Sequence, residues 1–98
     1  MPKFVIERDM PQVGGLSDAD MRGAAQQSCD VLRSMGPEIQ WIESYVTADK
    51  IYCVYYAADE SLVREHAERA GFPANRISRI VRMIDPSTAD PVSVARAA

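Results

Sequence analysis

Histidine occurs once in the 98 residues, tryptophan once, and cysteine and phenylalanine twice each. Two cysteines are too few for a disulfide framework, and Cys29 and Cys53 fall in unlike contexts, one in a helical pattern and one in a strand. Reduced thiols are expected, with Cys29 structural. There is no His-rich tract, no zinc-knuckle spacing and no Ser-His-Asp ordering from which to read a hydrolase. Excess positive charge is missing too: 11 basic against 14 acidic residues leave a net charge of -3, without the electrostatic footprint that phosphate backbones require. Nucleic acid is therefore not an expected partner. No apolar run approaches the roughly 20 residues that span a bilayer, so no membrane partner is expected either. Met1-Pro2-Lys3 runs directly into β-rich residues without the basic head and apolar core of an export signal, and a cytoplasmic location is expected.

What remains is enough for one core. A hydrophobic content of 47% in a chain this short supports a single domain, placed at residues 1–86, with a flexible C-terminal tail at 87–98. Lys3 to Asp9 reads as a first strand, stopped by Met10-Pro11 and Gly14-Gly15. Ser17 and Asp20 have capping-box spacing. Met21, Ala24, Ala25, Ser28, Val31, Leu32 and Met35 then recur at helical spacing up to Gly36-Pro37. Ile39–Val46 and Ile51–Tyr56 form a hairpin about Thr47-Ala48-Asp49-Lys50. Asp59 caps a second helix that ends at Gly71, and Ile77 to Ile84 is the last strand. The order β-α-β-β-α-β predicts an α+β, ferredoxin-like four-stranded antiparallel sheet with both helices on one face and strands one and three central.

Chemistry concentrates in a few side chains. On a helical wheel Leu62, Val63, His66, Ala67 and Ala70 share an arc of roughly 140°, so His66 points toward the sheet, as a core histidine or as a ligand or base. Pairing Val46 with Ile51 puts Ile42, Ser44, Val46, Ile51, Cys53 and Tyr55 on one hairpin face. Trp41, Glu43, Tyr45, Tyr52, Val54 and Tyr56 take the other. The first set is smaller and more apolar and is expected under the helices, with Cys53 near His66. The second is too aromatic to leave in water, and a second copy of the same face would cover it. Glu7 joins Glu43 there, as a metal ligand or in a salt bridge with Arg79 or Arg82. A three-residue loop would exchange the two faces and move Glu43 toward His66.

Six segments, taken together, resemble a family of small ferredoxin-like bacterial nickel-binding proteins: Val5-Ile6-Glu7-Arg8-Asp9, Ser28-Cys29-Asp30-Val31-Leu32, Trp41-Ile42-Glu43-Ser44-Tyr45-Val46, Lys50-Ile51-Tyr52-Cys53-Val54-Tyr55, Arg64-Glu65-His66-Ala67 and Gly71-Phe72-Pro73-Ala74. The resemblance implies a homodimer that binds Ni(II), with no established catalytic activity. Candidate metal ligands, chosen from the chemistry of this sequence, are His66, then Cys53 and Glu43, then Glu7; imidazole, thiolate and carboxylate all suit the ion. The alternative is a small dimeric enzyme of the monooxygenase or isomerase type, with a pocket around His66 lined by Tyr55, Cys53 and Ser44. A third reading is an interaction module using the aromatic face.

Overall fold

Alternation decides the sheet. In the computed structural model, which describes residues 1–91, β1 (Lys3–Asp9) buries Phe4, Ile6 and Arg8 and leaves the residues between them half-buried. A short 3-10 turn (Val13–Gly15) leads to α1 (Asp18–Met35), whose N-cap Ser17 accepts a hydrogen bond from the Asp20 amide at 3.1 Å. Then come β2 (Ile39–Val46), β3 (Lys50–Ala57), α2 (Glu60–Ala70) and β4 (Arg76–Ile80). Asp59 caps α2 by accepting from the Leu62 amide, and Gly71, at φ 77°, ends it in the left-handed conformation that glycine adopts without a Cβ clash. A second 3-10 turn (Pro86–Ala89), boxed by Asp85 and Thr88, spans the boundary between the expected domain and its tail. Residues 92–98 of that tail lie outside the described residues.

The sheet is antiparallel throughout, in the order β2-β3-β1-β4, so β1 and β3 are central as the topology rule requires. Both helices cover the face carrying Phe4, Ile6, Ile39, Cys53 and Tyr55, where Val63, Leu32, Met35 and Leu62 close the core. This is the ferredoxin-like α+β architecture expected from the element order.

Two expectations need correction. The last strand stops at Ile80, and Val81, Met83 and Ile84 are exposed. Ile80 pairs with Lys3, the first residue of β1, so beyond it β4 has no partner backbone. In the hairpin, Val46 does pair with Ile51, but a bulge between Trp41 and Glu43 inserts Ile42 as an extra residue. Before the bulge the alternation inverts. Trp41 lies opposite Tyr55 on the helix side, where its indole N–H donates to Ser44 Oγ at 2.9 Å. Residues three apart in a regular strand face opposite ways, so this bond exists only because of the bulge. Ile42, expected under the helices, is 39% exposed.

Candidate functional site

The inner layer is organised by a residue whose charge argued against burial. Position parity places Arg8 on the face of Phe4 and Ile6, and it is only 2% exposed. Its Nε donates to Cys53 Sγ at 3.4 Å, its Nη1 to the Pro73 carbonyl at 2.6 Å and its Nη2 to the Tyr55 hydroxyl at 3.3 Å. The Phe72 ring lies 5.5 Å from the guanidinium carbon, a cation–π contact. Arg8 thereby ties β1 to β3 and to the loop after α2. No motif in the sequence marks this role or any ligand for the arginine, although the Phe4-Ile6-Arg8 alternation signals its direction.

His66 is fully buried, as its place in the α2 stripe predicts. Nε2 and Ser28 Oγ of α1 share a hydrogen bond of 3.1 Å, and the Tyr55 ring lies 5.2 Å away. Nδ1 has no hydrogen-bond partner among the described residues. Burial, followed by the nearby Arg8 charge, pulls the imidazole below its ordinary range against the opposing effect of Ser28, so it is neutral near pH 7. Burial also raises the Tyr55 hydroxyl, helped by Cys53 and opposed by Arg8, which keeps it a phenol. The Ser28–His66 contact has the atoms of a nucleophile and its base. Among the described residues no carboxylate orients the imidazole, and His66 is fully buried; the bond joins α1 to α2.

Beside this cluster is a cavity of about 240 Å³ between α1, the first 3-10 turn and the inner sheet face. Its walls are mostly apolar, with Met21, Ala24 and Ala25 on the helix and Trp41, Val46 and Ile51 on the hairpin. Arg8, Ser28, Ser44, Cys53 and Tyr55 supply its polar lining; His66 does not reach it. The rim is held by close packing at Gly14. Its amide donates to the Ala48 carbonyl at 3.0 Å, and a Cβ there would meet Thr47 O at 2.7 Å.

The outer layer differs in kind. Across the uncovered face run Arg76, Glu7, Tyr52 and Tyr45 in one row and Ser78, Val5, Val54 and Glu43 in the next. Glu7 is half-buried, 3.9 Å from Arg76 Nε. That arginine, in β4, takes the place expected of Arg79 or Arg82. Glu43 is exposed and forms no ion pair among the described residues. Thus His66 and Cys53 belong to the helix side and Glu7 and Glu43 to the open side. Among the described residues, no three of His, Cys, Asp and Glu converge on one point.

These features define a class: a two-layered ferredoxin-like domain with an arginine-anchored cavity under its helices and a carboxylate-bearing open face. The chain belongs to the SCO4226-like family, described as "Nickel responsive protein SCO4226-like", whose model matches residues 4–80. A search of curated proteins found no match. Among solved structures, the crystal structure of SCO4226 from Streptomyces coelicolor A3(2) is similar, with 18% identity and a TM-score of 0.70 over 84% of this chain and 99% of that one. At that identity the likeness supports the fold.

Proposed function

We propose that this protein binds Ni(II) as a homodimer formed through the open sheet face, and so buffers, carries or senses the metal. The family's description as nickel responsive supports the choice of ion. The observation that carries the reading is Glu43, an exposed carboxylate without an ion-pair partner among the described residues, on a face whose Tyr45 is 58% exposed. A second copy packed there would cover the aromatics and bring a second set of carboxylates.

Of the four candidate ligands, Glu43 and Glu7 are carried forward, with water completing the coordination. His66 and Cys53 are not. Cys53 accepts a hydrogen bond from the permanent charge of Arg8, and His66 is closed to solvent beside the same guanidinium, a poor environment for a dication. Calorimetric titration of tag-free protein with Ni(II) is expected to saturate. Glu43→Gln should weaken binding by about tenfold or more, since even supporting partners of a metal site contribute that much. His66→Gln should leave it unchanged. The reverse pattern would return the ion to the inner layer, and no saturable binding in any form would end the proposal.

A further inference from the structure

We propose that the cavity between α1 and the inner sheet face binds a small, largely apolar organic anion whose charged end sits on Arg8. A guanidinium keeps its charge throughout the physiological range, and a buried charge is ordinarily matched by an opposite one. Arg8 is 2% exposed, yet none of the ion pairs among the described residues includes it. Its hydrogen-bond partners are a sulfur, a carbonyl oxygen and a phenol oxygen, which engage three of its five N–H groups, and the Phe72 ring beside it carries no charge. The net charge and two donors are left for a ligand.

Arg8 is also among the residues that line the cavity, which puts its side chain beside a molecule seated there. The remaining walls decide what else the ligand must be. Met21, Ala24, Trp41, Val46 and Ile51 offer hydrocarbon and one aromatic ring, with the hydroxyls of Ser28, Ser44 and Tyr55 also in the lining. A cavity of about 240 Å³ exceeds the roughly 150 Å³ that accommodates benzene, so a substituted single ring or a medium-length acyl chain fits. The class is therefore a monoanionic acid with a short apolar body. The same arginine that disfavours a dication in this layer favours such an anion. The cavity is on the opposite side of the sheet from Glu43, so its occupancy does not depend on nickel.

Octanoate is a suitable probe, and 1-octanol is its neutral counterpart. Titrated into the metal-free, tag-free full chain and followed by calorimetry and by emission of Trp41, the sole tryptophan, octanoate should saturate a single class of site. Octanol should bind about tenfold or more weakly, because it forfeits a charge-assisted hydrogen bond. Ala24→Phe, which fills the cavity and keeps Arg8 in the sequence, should abolish octanoate binding while leaving circular dichroism unchanged. Arg8→Met should erase the preference for the acid over the alcohol. If that variant fails to fold, the ratio of the two ligands on the natural sequence decides. Absence of saturation by octanoate, equal affinities for the two, or undiminished binding in Ala24→Phe would each overturn the proposal.

Discussion

The two faces of one sheet carry opposite chemistry one residue apart. Ile6 is wholly buried and its neighbour Val5 only partly, while Arg8 is enclosed and its neighbour Glu7 reaches solvent. The enclosed face is sealed by α1 and α2 and anchored by a cation. The open face presents carboxylates and tyrosines that no part of the described chain covers. The residues of the two faces alternate along each strand, and which set is enclosed follows from the side the helices occupy. The two proposals rest on that difference, an anion against the buried Arg8 and a cation against the carboxylates of the open face.

The sharpest way to break this contrast is to shorten neighbouring side chains on opposite faces. Ile6→Ala should cost about 2–5 kcal/mol in chemical denaturation, the range for emptying a core position. Val5→Ala should cost less than about 1 kcal/mol at low protein concentration. A Val5→Ala cost that grows with concentration would show the outer face covered by a second copy, whereas a cost equal to that of Ile6→Ala at every concentration would mean the face is never open.

Next in size is Ser28→Ala. It leaves both imidazole nitrogens of His66 without a partner, and a buried unsatisfied group costs about 1–3 kcal/mol. An unchanged melting temperature would mean that the Ser28–His66 bond is not formed in solution.

A smaller, pH-dependent effect is expected from the same histidine. Its folded-state pKa is depressed below the ordinary value near 6.5, so between the two values the unfolded chain binds the extra proton. Stability from the neutral, buried ring is fully present above about pH 6.5 and declines as pH falls toward the folded-state value. Denaturation midpoints measured from pH 8 to pH 5 should fall less steeply in His66→Gln than in the natural sequence. Equal slopes would show that other groups set the acid limb.

Least costly to the monomer is Tyr45→Ser, at a position 58% exposed, expected within about 0.5 kcal/mol. Its informative reading is sedimentation equilibrium. A shift toward monomer without loss of fold would place the dimer contact on the open face, and an unchanged association would move it elsewhere.

Most of the fold was legible because each signal was local. Ser17, Asp59 and Gly71 act within one helical turn of themselves, and the Phe4-Ile6-Arg8 alternation needs only strand geometry. The last strand was overextended because Val81 to Ile84 have the composition of a strand. Pairing is a property of two chain segments, and β1 ends the ladder at Lys3. The bulge at Ile42 was invisible for a related reason: an alternating pattern shows two faces but not an extra residue that exchanges them, and here the exchange puts Trp41 partly against the core. At the site, the helical spacing of Ser28 and His66 predicted that both face inward, as they do. Their meeting depends on the packing of α1 against α2.

Sequence alone therefore determined the element order, the sheet topology and the direction of most side chains, since periodicity and capping act over a few residues. Tertiary structure decided the rest. It enclosed Arg8 because the Tyr55 hydroxyl, Cys53 sulfur and Pro73 carbonyl, distant in sequence, converge to satisfy it. It also separated Glu7 and Glu43 from His66 and Cys53 by the thickness of a sheet, because only one face of that sheet is covered by helices.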